Sequence, residues 1–105
     1  MAKNKITQLR EKYVNNFYFR NIDNGKYGLA RVTEVKYFGN RYVIFFSVIY
    51  VDELGGTILL NIREDDISFK TFKSTFKLCN KKWAEGLLEY LVERIKKIGD
   101  GIINI

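Results

Sequence analysis

The chain has 105 residues, 47% apolar and 15% aromatic, enough for one domain with a folded core. Its 18 basic residues outweigh 12 acidic ones, and the net charge of +6 favours a polyanionic partner. Histidine is absent and Cys79 is the one cysteine, which excludes an intrachain disulfide, the usual catalytic triads and a cysteine–histidine zinc site.

From about residue 4 to 17, Ile6, Leu9, Tyr13, Val14 and Phe17 recur at helical spacing, with Lys, Arg and Glu between them. A short first helix is predicted, stopped by Asn21-Ile-Asp-Asn-Gly25, whose residue types suit a turn. Tyr27–Phe38, Arg41–Val51 and Thr57–Arg63 then read as strands. Gly39-Asn40 suits a two-residue hairpin loop, so the first two should be antiparallel neighbours. The second connection is Asp52-Glu53-Leu54-Gly55-Gly56.

Arg41–Val51 is apolar on both alternating faces, so both need a cover: a helix, a dimer partner or a ligand. Thr57–Arg63 alternates more cleanly, with Ile58, Leu60 and Ile62 on one side. Ile67–Leu78 reads as a bulged fourth strand, although Phe69, Phe72, Phe76 and Cys79 also fit a helix. From Asn80, a plausible N-cap, the positions Trp83, Leu87, Leu88, Leu91, Ile95 and Ile98 mark a last helix ending at Gly99. The expected fold is α+β: a four-stranded antiparallel meander flanked by an N-terminal and a C-terminal helix, in a single domain over 1–105.

The charge is unevenly spread. Residues 1–51 carry nine basic and three acidic groups, residues 52–66 one and five, and residues 67–82 five lysines and no acid. Those five, Lys70, Lys73, Lys77, Lys81 and Lys82, are candidate phosphate contacts, because neutralising a phosphate releases condensed counterions. Tyr37, Tyr42, Tyr50 and Phe72 are candidate stacking residues for unpaired bases.

One enzymatic pattern competes. Glu34-Val35-Lys36 has the acid-x-Lys form of metal-dependent nucleases, with Asp23 and Glu11 as possible partner carboxylates around Mg²⁺. No glycine-rich phosphate loop occurs, since Gly55-Gly56 lacks the Lys-Ser/Thr sequel. Without a histidine base Cys79 reads as a small buried hydrophobe rather than a nucleophile. No cofactor or metal is expected, and the chain reads as a non-enzyme.

The pieces Arg41-Tyr42-Val43, Thr57-Ile-Leu-Leu-Asn-Ile-Arg63-Glu64 and Phe76-Lys77-Leu78 leading to Trp83 resemble the single-stranded-DNA-binding coactivator family called positive cofactor four. The strand, strand, strand, strand, helix order over about residues 28–98 is similar as well. The resemblance implies a homodimer that grips single strands with curved sheets, and it carries that role onto Arg41, Tyr42, Arg63, Lys77 and Lys82. Ser74-Thr75 stand where the family has a glycine, and the first helix has no counterpart in it.

The residues therefore predict a small basic protein that binds nucleic acid, single-stranded DNA above all, as a homodimer. A protein of viral or mobile-element type that binds a host protein is the alternative, and the nuclease a second one. The Lys-, Asn- and Ile-rich, proline-free composition is what an AT-rich genome imposes, as in a phage, plasmid or archaeal virus. Met-Ala-Lys-Asn-Lys lacks a signal peptide's apolar run, and no stretch reaches the roughly 18 apolar residues of a membrane span. The expected location is cytoplasmic, in the host if the protein is viral, with no membrane partner.

Overall fold

The computed structural model describes residues 4–54, 57–98 and 102–104. Helix α1 spans Lys5–Tyr13, and the Asn4 side chain caps it by accepting from the Thr7 backbone N–H at 2.9 Å. Strands β1 (Phe17–Asp23), β2 (Lys26–Phe38), β3 (Arg41–Leu54) and β4 (Thr57–Ser68) form an antiparallel meander. Helix α2 (Phe69–Thr75), the short strand β5 (Lys77–Leu78), helix α3 (Lys81–Ile98) and strand β6 (Ile102–Asn104) complete the chain. The sheet order is β5-β1-β2-β3-β4-β6, with β5 antiparallel to β1 and β6 parallel to β4. The predicted α+β class, the terminal helices and the hairpin at Gly39-Asn40 are all present.

Two predicted elements differ. The fourth strand of the meander is Phe17–Asp23, upstream of the other three, where the end of a helix and a turn were expected. Val14 closes α1 in extended backbone, and Phe17, Tyr18 and Phe19 then alternate about the sheet. Downstream, Ile67–Leu78 is not a bulged strand: β4 ends at Ser68, and α2 follows. The Ser68 hydroxyl caps α2 by accepting from the Thr71 N–H at 3.2 Å. The helix sets Phe69 and Phe72 against the same core, and Phe76, its C-cap, follows them inward at 3% exposure, whereas strand parity would have put Phe69 on the face opposite Phe72 and Phe76. The bulge occurs instead in β2, where Thr33 is the extra residue and lets Val32 and Val35 both point inward. The expected stop at Gly99 and the Gly55-Gly56 part of the β3–β4 turn lie outside the described residues, as do the side chains of Ile95 and Ile98.

The sheet has a core on each face, and the two are offset along the strands. On the first face Tyr18, Ala30, Val32, Val35, Ile44, Phe46 and Val48 pack against Leu9 and Tyr13 of α1, Phe72 of α2, and Phe76. Phe46, Phe72 and Phe76 form a tight aromatic group, with centroids 4.8 to 5.4 Å apart. On the second face Val51, Ile58 and Leu60 pack against Leu91 of α3, with Tyr27, Ile49 and Leu87 around them. There the Tyr90 hydroxyl donates to Glu53 Oε1 at 2.9 Å and receives an Arg94 N–H at 2.8 Å, tying α3 to the far end of β3. Burial, with Glu53 nearby, pushes the Tyr27 phenol up to about 12. Helices thus cover part of each apolar face of β3, one set per face, in a molecule 53 Å long.

Phe46→Ala or Phe72→Ala should cost about 3–5 kcal/mol of unfolding free energy in urea titrations, whereas Ile62→Ala, at a half-exposed position, should stay within about 0.5 kcal/mol. Gly25 turns β1 into β2 at φ 76°, and a Cβ there would lie 2.8 Å from the Glu53 carbonyl oxygen. Gly25→Ala should therefore destabilise by more than about 1 kcal/mol in the same titrations.

Candidate nucleic-acid interface

Because Phe72 is the inward residue of α2, Lys70 and Lys73 on the same short helix face solvent. Lys77 follows on β5, the edge strand laid against β1. Lys12, at the C-terminal end of α1, joins them from the other side. Lys12 and Lys73 rim, and Lys77 borders, a cleft of about 340 Å³ whose other lining residues are Tyr13, Tyr18, Phe72, Phe76 and Leu78. Tyr13 and Tyr18 stack with centroids 5.6 Å apart at 17°, and Phe72 meets Tyr18 edge-on at 5.1 Å. Burial, then Tyr13, then Cys79, hold the Tyr18 phenol well above its ordinary range.

Lys81 and Lys82 open α3 beside this edge. The Asn80 side chain caps the helix by accepting from Lys82 N–H at 2.8 Å and Trp83 N–H at 3.2 Å. Trp83 is 48% exposed and rests edge-on against Phe19 at 5.2 Å, and Phe19 is the register partner of Lys77. Among the described residues no carboxylate forms an ion pair with Lys12, Lys70, Lys73, Lys77, Lys81 or Lys82.

The remaining predicted residues lie elsewhere. Arg63 sits over the Tyr50 ring at 5.2 Å and 3.5 Å from Asp65. Arg41 and Tyr42 stand at the tip of the β2–β3 hairpin. Tyr42 is held between Tyr37, 4.8 Å away, and the Lys5 ammonium, while Arg41 lines a hollow with Phe38, Phe45 and Asp66. Of the four expected stacking residues, Phe72 is a core residue, Tyr42 and Tyr50 are half-buried, and Tyr37 is half-exposed. Lys12, Tyr13 and Tyr18 join the site without having been marked by the charge pattern. Their one sequence signal was Lys12-Tyr13 at the end of the first helical stripe.

The acid-x-Lys carboxylate is engaged differently. Glu34 Oε1 accepts from the Val35 N–H and from Arg10 Nε, each at 2.8 Å, and the Val35 bond foremost holds its pKa below the ordinary glutamate value. Asp23 lies roughly 25 Å away along β2, at ~3.3 Å per residue. Among the described residues no three His, Cys, Asp or Glu side chains are grouped to hold a metal ion. Cys79, its thiol pushed up by burial, donates its backbone N–H to Phe17. Among the described residues no helix is long and apolar enough to cross a membrane.

No family model, no curated protein and no solved structure matches this chain.

Because the folded-state pKa of Glu34 is depressed, its contribution is present above the unfolded glutamate value and is lost as pH falls through the folded one. Glu34→Gln should lower stability at pH 7 by less than about 1 kcal/mol, both partners being partly exposed. The gap between the two melting curves should close as the buffer is taken to acid.

Proposed function

We propose that this protein binds single-stranded nucleic acid, preferentially DNA, along the edge formed by α2, β5 and the start of α3. The observation that carries the reading is the set of six lysines, 12, 70, 73, 77, 81 and 82, gathered on adjoining elements with no carboxylate partner among the described residues. Lys12 and Lys73 at helix C-termini have a local use, because the helix dipole welcomes cations there. Lys81 and Lys82 have none: the first turn of α3 holds no acid, and the dipole there disfavours cations. An external anion accounts for that placement. Single strands are preferred over duplex because the half-exposed Trp83 and the aromatic cleft reach bases only when these are unpaired. The resemblance to the positive cofactor four family supports the same reading at Lys77 and Lys82, although α2 occupies the place of that family's fourth strand. Cytoplasmic location is part of the proposal, as is origin in a virus or mobile element.

The homodimer is proposed on a separate observation. The half of the second face that α3 leaves open carries Phe38 and Phe45, flanked by Arg31, Lys36 and Arg41 toward β2 and by Glu64 and Asp66 on β4. None of these five charges forms an ion pair among the described residues. A surface with both signs around an apolar centre suits a second copy of itself. Light scattering should give a dimer that Phe38→Asp turns into a folded monomer. A wild-type monomer would assign the patch to another protein instead.

Binding is tested by fluorescence anisotropy of labelled single- and double-stranded oligonucleotides at rising salt. The single strand should bind more tightly, and replacing Lys70, Lys73 and Lys77 together by Ala should reduce the log–log salt slope by about 2, at ~0.7 per phosphate contact. Trp83 is the one tryptophan of the chain, so its emission should be quenched as the strand binds. Absence of micromolar binding at low salt overturns the reading.

A further inference from the structure

The cleft between α1, α2 and β5 has features that a phosphate-tracking surface does not need. Its floor is aromatic, made by the stacked Tyr13 and Tyr18 and the stacked Phe72 and Phe76. Its rim carries two cations from separate elements, Lys12 of α1 and Lys73 of α2, while Lys77 of β5 borders it at the edge strand, paired with Phe19 of the other face. The hydroxyls of Tyr13 and Tyr18 form no hydrogen bond to the described residues, and neither is sealed from solvent. Tyr18 is only 5% exposed, so the part of it that solvent reaches is the part that lines this cleft. That phenol, like any at neutral pH, is protonated and can both donate and accept.

We infer that this cleft is a nucleotide pocket. It takes one nucleoside monophosphate unit, with the base against the aromatic floor, its polar edge or the sugar hydroxyls at the two phenols, and the phosphate between Lys12 and Lys73. The volume of about 340 Å³ lies at the small end of ligand pockets and suits one such unit. An alkyl carboxylate uses the floor and the lysines but leaves both phenols unpaired. Inorganic phosphate uses the lysines alone. The unit has two possible sources, a free nucleotide or the phosphorylated end of a strand. In the second case the inference rests on the nucleic-acid reading and gives that surface a terminal site where a 5′-end is held.

The test follows amide chemical shifts in the full chain while AMP, CMP, adenosine, inorganic phosphate or octanoate is added. The two nucleotides should saturate with shifts centred on Tyr18, Phe72 and Lys77. Adenosine and phosphate should each bind at least about tenfold more weakly, since each lacks one half of the recognition. Tyr18→Phe keeps the ring stack and should weaken AMP several-fold at unchanged melting temperature, and Lys73→Ala, an exposed change, should do the same. Displacement of AMP by a 5′-phosphorylated oligonucleotide better than by its unphosphorylated twin assigns the pocket to strand ends. Displacement by free nucleotides alone assigns it to those. Phosphate or octanoate binding as tightly as AMP overturns the inference, as does absence of saturable AMP binding up to about 10 mM. If oligonucleotides bind by anisotropy while AMP does not, the pocket is refuted and the interface stands. If neither binds, both fall.

Discussion

This fold is organised by one strand, β3, that is apolar on both sides. Ile44, Phe46 and Val48 point to one face of β3 and Ile49 and Val51 serve the other, so a helix on one side alone would strand half of that apolar area in water. The chain meets the constraint by offset coverage. Helices α1 and α2 take the first face near Ile44–Val48, and α3 takes the second face near Ile49–Val51. Long strands are what make this possible, because 12 to 14 residues in β2, β3 and β4 give each helix its own stretch of sheet. The same arrangement leaves two half-faces open, and these carry Arg63 over Tyr50 on one side and Phe38 with Phe45 on the other.

The basic edge is a by-product of how α2 is held. A seven-residue helix has little stability of its own in water. It persists because Phe72 is locked between Tyr18, Phe46 and Phe76. Burying a phenylalanine contributes roughly 1.5–3 kcal/mol, and the ring contacts add to it. Lys70 and Lys73 are therefore carried on an element whose orientation is set by one aromatic residue, and Lys77 is fixed by the register of β5 on β1. Charges on so constrained a frame keep their mutual geometry without carboxylates between them. The acids have gone to β4, at Glu64, Asp65 and Asp66, where they line an edge that β6 pairs only at Ile58–Leu60. A charged open edge resists strand-to-strand aggregation.

Much of this was legible in the residues, and the failures have physical causes. The hairpin at Gly39-Asn40, the inward pair Ile58 and Leu60, and Leu87 and Leu91 of the α3 stripe follow from periodicity and turn chemistry, which are local, whereas Trp83 of that stripe is 48% exposed and Ala84 is the buried residue of the first turn. Phe17–Asp23 was missed because its apolar run continues the helical stripe of α1, and Val14 in extended backbone followed by Asn15 in the left-handed region, φ 68°, breaks the two apart. Ile67–Leu78 was misread because β-favouring Thr, Phe and Ile argue for a strand, while Ser68 as a cap and the Phe69, Phe72, Phe76 spacing argue for a helix. Packing of Phe69 on the same core as Phe72 and Phe76, which strand parity cannot deliver, decides it. The lysines were visible as a charge run. Lys12 and Tyr18 were not, because they reach the same cleft from elements 60 residues away in the chain, and no linear pattern joins them.

The cleft also joins binding to stability. Phe72 and Phe76 are core residues on one side and cleft lining on the other, and Tyr18 packs on Phe72 while presenting its hydroxyl end to the opening. Among the described residues nothing lies between the cleft surface and the hydrophobic interior. A ligand seated there presses directly on the residues that hold α2 in place. Binding and the folding of α2 are consequently linked by mass action: a partner that needs Lys73 and Tyr18 together stabilises the state in which Phe72 is buried. Tyr18, Phe72 and Phe76 thus divide their work within single side chains, one edge closing the core and the other lining the cleft.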